Sequence, residues 1–570
     1  MRRPPIGRLV ALFAALALAF GAITVRLAVL QVSRAGAYQT LALDQRLRTV
    51  SLPAWRGQIV DRSGEPLAIS LPARDVYADP RYVVDRWGTA VEVSSVLGAP
   101  VRELLPKLRA DATFVYLARQ VDLWTAERVE RLGLPGIGFL PTTRRSYPAG
   151  PLGSQVLGFV GVDGVGLAGL ELEHQSLLAG HPGERTQELG RDGQPIVGGI
   201  DGERPPVSGS DLVTTIDREF QFQVQAALEE AVEANDAAGG TVIVMDPRTG
   251  DVYAMASYPW FDPNDFVNAK PSTMRNRAVT DIFEPGSVNK VVTAAAAVEE
   301  RALPHHRTLS VAWKMRVGEF TIHDAHPHPV QPMTLGDIVA QSSNIGAVLV
   351  ARRLGEVRMA TYLSEFGLGR TTGIGFPGES PGLMLPLHLW SDTSLATMAY
   401  GQGIAVTPLQ MISVYSTIAN DGVSIQPRLV RGHVDEGGTF HPAPAPVTRR
   451  VVSVDTARMV TRMLAYAVKA GTGTAARIPG YDVAGKTGTA RIPRPTGGYY
   501  PDQAIAAFIG FLPASDPTVV IAAILDRPVT VYGGVAAAPL FQDVARYAIE
   551  RLSIAPGRPL RPPPLALPAR

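Results

Sequence analysis

The chain has 570 residues, of which 46% are apolar and 19% charged, with a net charge of +2 and no cysteine. This length exceeds one ordinary core and predicts roughly two to four domains. The composition excludes a disordered polymer, the charge carries no nucleic-acid footprint, and the missing thiols remove cysteine catalysis, cysteine-ligated zinc, disulfides and lipid attachment through cysteine while leaving the redox compartment open.

At the N-terminus, Arg2, Arg3 and Arg8 precede Leu9 to Val25, a run without charge, then Arg26, then a further apolar stretch from Leu27 to Leu30. The first run spans about 25 Å as a helix, just short of a hydrocarbon core about 30 Å thick; a snorkelling Arg26 and the following run supply the rest. The preceding arginines orient the N-terminus inside and the remainder outside. A cleaved signal peptide is the competing reading, since Ala19, Gly21 and Ala22 could serve a peptidase. A retained anchor is preferred because the helical apolar pattern continues past any cleavage point.

From Gln31 to Val50 the text reads as a polar helical stalk. Arg56 to Gly64 reads as an extended piece with a turn at Ser63-Gly64, followed by alternation from Pro66 to Ser70. Residues 75–140 read as short helices and loops. Arg144, Arg145, Tyr147 and Pro148 lie in the segment before Gly150; Leu170 to Leu178 reads as one helix ending at Gly180, and residues 199–210 as a boundary. Beyond it, Asp217 to Ala234 is an amphipathic helix, and Thr241 to Met245 and Val252 to Ser257 are strands joined by Asp-Pro-Arg-Thr-Gly, a hairpin signal. Ser287 to Glu300 is apolar almost all round, which predicts a helix buried inside a domain. More helices follow to about Phe366. Asp482 to Ala490, Ala504 to Phe511 and Val519 to Leu525 read as strands, Leu540 to Leu552 as a closing helix, and the Pro-rich tail from Pro556 as disordered. No internal repeat is visible.

The chemistry concentrates in three short runs. Ser287 precedes Lys290 by one helical turn, so both face the same way. Only six of the 54 basic residues are lysine, and lysine, unlike arginine, can give up its proton when buried. The helix N-terminus favours a developing alkoxide, and with burial it holds Lys290 as a neutral base for the serine hydroxyl. Gln341-Ser-Ser-Asn344 supplies Ser342 as a proton relay between Lys290 and a leaving amine, and Asn344 as donor and acceptor for a substrate amide. Gly485-Lys-Thr-Gly-Thr-Ala490 supplies a cation at Lys486 and hydroxyls at Thr487 and Thr489 for a carboxylate. Gly488 lets substrate lie along the strand edge. The backbone N–H groups of Ser287 and Thr489 make an oxyanion hole. Alone, the first run also fits a surface helix and the second a connecting turn, whereas a phosphate loop for the third lacks the Gly-x-x-x-x-Gly-Lys spacing.

The ordered set Ser-x-x-Lys, Ser-x-Asn, Lys-Thr-Gly is the signature shared by penicillin-binding proteins and serine β-lactamases. Around it, Arg56-Gly-x-Ile-x-Asp-Arg62, Tyr-Pro-x-Gly at 147–150, Thr215-Ile-Asp217, Asn276-Arg-Ala278, Gly401-Gln-Gly403, Thr407-Pro-Leu-Gln410 and Tyr532-Gly-Gly534 complete a pattern that resembles a class B penicillin-binding protein over most of the chain, weakest in residues 75–140. Phe283-Glu-Pro-Gly-Ser287 leans toward the cell-division type. Val288 stands where that family usually has threonine, with no contact to substrate expected. The resemblance implies an α+β chain: an N-terminal transmembrane helix, an elongated mixed α/β pedestal, and a penicillin-binding/serine β-lactamase-like transpeptidase domain with a mainly antiparallel sheet flanked by helices. The expected boundaries are 1–33 for tail and anchor, 34–210 for the non-catalytic pedestal, 211–555 for the transpeptidase domain and 556–570 for the tail.

The implied activity is peptidoglycan D,D-transpeptidation outside the cytoplasmic membrane, through a Ser287 acyl-enzyme that β-lactams would also form, without metal or organic cofactor. Ser287, Lys290, Ser342, Asn344 and Lys486 would be catalytic, and Thr487, Gly488 and Thr489 substrate-binding. Implied partners are D-Ala-D-Ala stem peptides with an amine acceptor, a membrane-embedded glycan polymerase and other divisome membrane proteins; nucleic acid is not among them. Rival readings are an elongation-type enzyme, a D,D-carboxypeptidase or β-lactamase-like hydrolase, and a non-enzymatic divisome scaffold or β-lactam sensor. The N-terminal module and anchor weigh against a β-lactamase. The intact catalytic set weighs against a scaffold, and the few residues before the span against a sensor. His323, His326 and His328 read as a proline-rich solvent loop, Glu379 as part of a Gly/Pro turn rather than a deacylating base, and the pairs Arg144-Arg145 and Arg352-Arg353 as solvated faces.

Overall fold

The computed structural model describes residues 6–34, 36, 38, 40, 46–188, 190, 196–304 and 306–560. They group into two units, Met1–Trp55 with Gly180–Ser208, and Arg56–Ala179 with Gly209–Arg570. In the first, Ile6–Ala28 is a helix of 23 residues with none buried, about 35 Å long. It runs past Arg26, as its apolar pattern required, into a π-turn at Val29–Ser33, and its length and composition suffice to cross a membrane. The expected helical stalk lies partly outside the described residues, and its last residues are a strand, Leu47–Leu52. That strand pairs antiparallel with Gly183–Glu188, which pairs with Asp201–Arg204.

The second unit joins residues 56–179 to residues 209–560 through a shared sheet, which the boundary at 210/211, drawn from Gly and Pro content, does not register. Asp211–Thr214 pairs parallel with Ile59–Val60 and antiparallel with Val430–Val434. Residues 75–140, read as short helices and loops, do hold three short helices, Arg86–Leu97, Val101–Leu108 and Leu123–Glu130, but also carry much of a sheet. Pro66–Ala78 pairs antiparallel with both Val115–Asp122 and Ile137–Ser146. Pro72, Arg74 and Asp75 interrupt the alternation of the long strand, which is why only its start was legible. Asp75 is buried and accepts the Gln120 backbone N–H at 2.7 Å.

A buried ionic knot fastens this region. Glu171, 0% exposed, takes Arg56 Nε on one oxygen at 2.7 Å and Arg145 Nε on the other at 2.6 Å, with Tyr147 OH at 3.3 Å. Arg56 also donates to the Glu171 carbonyl and to Gln175 Oε1, both at 2.8 Å. Arg145 is therefore interior rather than on a solvated face. Leu170 to Leu178, expected as one helix, is two short ones, Gly169–Glu173 and Gln175–Leu178, broken at His174. Burial lowers the affinity of the Arg56 guanidinium for its proton, and Glu171 opposes that shift.

The core of residues 211–555 is a sheet between two helical layers. Its strands are β1 (Gly239–Met245), β2 (Val252–Tyr258), β3 (Ala484–Pro493), β4 (Tyr499–Leu512) and β5 (Val519–Asp526). They run in the order β2-β1-β5-β4-β3, every pair antiparallel, with β3 at one edge. The central strands are buried on both faces, so they read as continuous apolar runs rather than alternating ones. Ile243 and Met245 point to one cluster, Val242 and Val244 to the other, the two-residue period of a strand. Helices α1 (Arg218–Ala234) and α7 (Gly533–Arg551) supply the second of these clusters. The first contains α2 (Lys290–Glu299), α3 (Leu335–Gln341), α4 (Asn344–Leu354), α5 (Pro408–Ala419) and α6 (Val454–Ala470).

Helix α7 starts earlier than Leu540 because Gly533 and Gly534 bring its first turn onto β3 and β4. A Cβ on Gly533 would lie 2.2 Å from the Gly488 carbonyl oxygen. Pro556–Leu560 is held rather than loose, the Leu560 N–H donating to Asp482 Oδ2 at 3.0 Å; residues 561–570 of the expected tail lie outside the described residues.

Replacing Glu171 with alanine leaves two buried arginines facing each other, a cost of about 3–5 kcal/mol. The expected outcome is a clear fall in the midpoint of chemical denaturation, with Glu130→Ala, which removes an exposed ion pair with Arg74, moving it by no more than about 1 kcal/mol. Equal midpoints for the two variants would contradict the role assigned to the knot.

Candidate active site

Ser287 sits in a 3-10 turn, Gly286–Asn289, that leads directly into α2; the α-helix proper starts at Lys290, one turn later than its composition suggested. The approach to this turn is fixed by backbone packing. Phe283 exchanges hydrogen bonds with Val406 at 3.0 and 2.9 Å, and the Gly286 N–H donates to the Gly401 carbonyl at 2.9 Å. Gly286 has φ 56° and Gly401 φ 84°, left-handed values that a side chain resists. A Cβ on Gly401 would stand 2.1 Å from the Gly286 oxygen. Glu284 receives the Gly403 N–H at 2.9 Å and Tyr499 OH at 3.0 Å. Val288 is wholly buried, as its apolar side chain demands, and its carbonyl accepts from Tyr415 OH at 2.9 Å.

Lys290 is 1% exposed. Its Nζ lies 3.0 Å from Ser287 Oγ, 2.5 Å from the Ser342 carbonyl oxygen, 3.2 Å from Ser342 Oγ and 2.8 Å from Asn344 Oδ1. An ammonium has three hydrogens for these four oxygens, whereas a neutral amine has two hydrogens and a lone pair for the Ser287 hydroxyl. Burial first, then the nearby Lys486 charge, push the Lys290 amine well below its ordinary range; Asp324 pulls the other way. The group most able to accept the Ser287 proton is thus already held against it.

The Ser342-Ser343-Asn344 run links two helices. Helix α3 begins with a capping box between Thr334 and Asp337 and ends at Ser342, whose φ 60° and ψ 34° are left-handed. For a residue with a side chain this is an uncommon conformation, held by its surroundings. Ser343 caps α4, its hydroxyl accepting the Gly346 N–H at 2.9 Å. The turn therefore aims the Ser342 carbonyl and hydroxyl at Lys290 while Ser343 points into the fold. Asn344, expected to meet a substrate amide, spends its amide here on Lys290 and on the His323 carbonyl, to which Nδ2 donates at 3.0 Å.

The third run lies on β3, the edge strand. Lys486 is 0% exposed, and burial brings its amine down to about 7. Nζ donates to the Thr487 carbonyl at 3.1 Å and to Thr487 Oγ1 at 3.2 Å, with Thr472 Oγ1 at 3.4 Å. Thr487 and Thr472 share a hydroxyl–hydroxyl bond of 2.7 Å; Thr472, on no motif, could not be found from sequence. Thr489 is exposed, and its hydroxyl accepts the Gly533 N–H at 3.1 Å. Gly488 has a packing reason beyond clearing the strand edge: a Cβ there would meet Val288 Cγ1 at 2.9 Å and the Pro285 oxygen at 3.3 Å. The Ser287 turn is thus seated directly on the strand that carries Thr489.

The other sequence candidates are placed apart from this chemistry or around it. Glu379 closes its turn by accepting both the N–H and the hydroxyl of Thr372, at 2.6 and 2.5 Å. Arg352 and Arg353 are exposed. His323 and His326 are exposed, but His328 bonds Asp324 Oδ2 at 3.0 Å. Asp324, buried between these histidines, was missed; four of its neighbours in sequence are His or Pro, and nothing in that text distinguishes it.

Two family models match the chain: the penicillin-binding protein transpeptidase domain over residues 240–546 and the penicillin-binding protein dimerisation domain over 51–214. Penicillin-binding protein PbpB of Mycolicibacterium smegmatis is 36% identical, the match covering 96% of this chain and 90% of that one. Peptidoglycan D,D-transpeptidase FtsI of Escherichia coli is 33% identical over 90% and 86% of the two chains. The crystal structure of penicillin-binding protein 3 from Mycobacterium tuberculosis complexed with aztreonam superposes with a TM-score of 0.72 at 33% identity, covering 91% of this chain and 100% of that one. A match of this extent, with the Ser-x-x-Lys, Ser-x-Asn and Lys-Thr-Gly runs converging around Lys290, places the chain in the penicillin-binding protein family of transpeptidases.

Proposed function

We propose that the chain is a septal peptidoglycan D,D-transpeptidase in which Ser287 is the nucleophile. The observation that carries this reading is the Ser287 Oγ–Lys290 Nζ distance of 3.0 Å beside a fully buried amine. Ser287 Oγ attacks the penultimate D-Ala carbonyl of a donor stem and passes its proton to Lys290. The backbone N–H groups of Ser287 and Thr489 receive the carbonyl oxygen as it becomes negative. The C–N bond then breaks; the departing D-Ala amine takes a proton by way of Lys290 and Ser342, and an ester to Ser287 remains. An acceptor amine attacks that ester and loses a proton to the same relay; the ester C–O bond breaks, and Ser287 Oγ takes back its hydrogen. Lys486, with Thr487 and Thr489, holds the terminal carboxylate of the donor. That anion favours a charged Lys486, so binding recharges a side chain that burial has made easy to discharge.

A β-lactam presents a carboxylate and a strained amide to the same groups and acylates Ser287. The helix Ile6–Ala28 anchors the chain in the cytoplasmic membrane with the catalytic unit outside, where stem peptides, a membrane-embedded glycan polymerase and other divisome proteins are met. Support for the division setting comes from the FtsI relative and from the Phe283-Glu-Pro-Gly-Ser287 run.

Ser287→Ala is expected to abolish covalent labelling by a fluorescent penicillin; labelling that survives would remove Ser287 from this role. Lys290→Arg keeps a cation but cannot deprotonate, so the acylation rate should fall by about 10²–10⁴-fold. In the unaltered protein that rate should decline as pH falls and Lys290 gains its proton, and an arginine variant as fast as the parent would exclude proton transfer to Lys290. With a thioester or lipid-linked donor and the polymerase present, amine-dependent cross-linked products are expected. Hydrolysis alone under those conditions would point to a carboxypeptidase.

A further inference from the structure

We propose that Asp324 is a positioning residue that sets the Ser342-Ser343-Asn344 turn against Lys290. The inference rests on the reading of Lys290 as the proton acceptor. Asp324 follows the strand Phe320–His323, and its own N–H donates to the Trp313 carbonyl at 2.8 Å, which fixes its backbone. Its carboxylate is 6% exposed and satisfied on both oxygens. Oδ1 accepts the N–H groups of Asn344 at 2.5 Å and Ile345 at 3.0 Å; Oδ2 accepts Ser343 Oγ at 2.7 Å and bonds His328 Nε2 at 3.0 Å.

Two of these donors are the first N–H groups of α4, which no intrahelical carbonyl can reach. A carboxylate there is favoured by the positive end of the helix. Asp324 thereby holds the helix at the residue whose side chain touches Lys290. The next residue upstream of Asp324 completes the grip, because the His323 carbonyl takes Asn344 Nδ2 and leaves Oδ1 for Lys290. The turn is thus pinned immediately after the left-handed Ser342, at Ser343, Asn344 and Ile345.

The same carboxylate acts through its charge. Burial and Lys486 both press Lys290 toward the neutral form, and a lysine pressed too far is a feeble base. Asp324 is the opposing charge on Lys290. The charged and titratable groups around the pair are Lys486 from β3 facing Lys290, and His328 facing Asp324. The His328 imidazole holds its proton more tightly than usual, chiefly through its bond to Asp324. The geometric and electrostatic roles are separable by mutation.

The test uses the full-length protein in detergent and follows acylation by a fluorescent penicillin, resolved into the binding constant Ks and the acylation rate k2, across pH. Asp324→Asn is expected to lower k2 at least tenfold at neutral pH with Ks and thermal midpoint little changed. It should also move the acid limb of k2 to lower pH, because the charge favouring protonated Lys290 is gone. Asp324→Glu retains the charge but misplaces the oxygens, so k2 should fall with the limb unmoved. A parental k2 and limb in Asp324→Asn, or a loss of k2 with the limb unmoved, would overturn the proposal while leaving the Ser287 reading intact. Absence of labelling in the parent protein would instead overturn that reading. If Asp324→Asn does not fold, Ser343→Ala removes one of the four bonds to the carboxylate, together with the cap on the Gly346 N–H. It should lower k2 severalfold at parental Ks, and a parental k2 in it overturns the positioning role.

Discussion

A lysine amine enclosed at the mouth of an apolar helix is the constraint on which the catalytic unit is organised. In water Lys290 would be charged and Ser287 inert. Its amine changes character because α2 is buried almost all round, with Lys290, Val291, Val292, Thr293 and the four alanines that follow all inside. Burial alone would favour an empty, useless base, so the enclosure also supplies oxygens. The Ser287 hydroxyl, the Ser342 carbonyl and hydroxyl and the Asn344 amide oxygen surround Nζ, and Asp324 stands behind them as the opposing charge. A buried polar network of this kind is stable only when each member is satisfied, and this one is.

Bringing three separate runs into one site requires backbones to touch, and glycine makes that possible. Gly401 lies on Gly286, Gly488 on the Pro285–Val288 turn, and Gly533 on Gly488. The chain is thereby stacked as loop, Ser287 turn, edge strand and helix N-terminus, with the Val288 side chain meeting Gly488 where the turn sits on the strand. The edge position of β3 follows the same logic. A strand paired on one side only can seat the Ser287 turn and still offer main-chain groups to an extended peptide. The price of that arrangement is rigidity at positions where any Cβ would collide.

Legibility from sequence followed the range of the forces involved. The late strands, the hairpin at 239–258, the helix at 218–234 and the buried α2 were visible because apolar periodicity is a local pattern. The sheet at 66–146 was not, since Pro72, Arg74 and Asp75 break its alternation and their reasons lie on other strands. Arg145 read as a surface charge and lies inside, because its partner Glu171 belongs to a different segment. Asp324 and Thr472 sit in stretches with no motif, and only the fold brings them to Ser343, Asn344 and Thr487. The shared sheet through Ile59, Asp211 and Val430 likewise escaped a boundary drawn from glycine and proline content.

The amino-acid sequence by itself determined the reactive groups, their one-turn and two-residue spacings, the apolar N-terminal helix and the family to which these belong, since each is a matter of which residues stand near one another along the chain. Only the tertiary structure decided which oxygens and charges surround Lys290, the occupation of both Asn344 amide atoms and the placing of Asp324. Those depend on desolvation and on charges brought together from distant segments, and neither exists until the chain has folded.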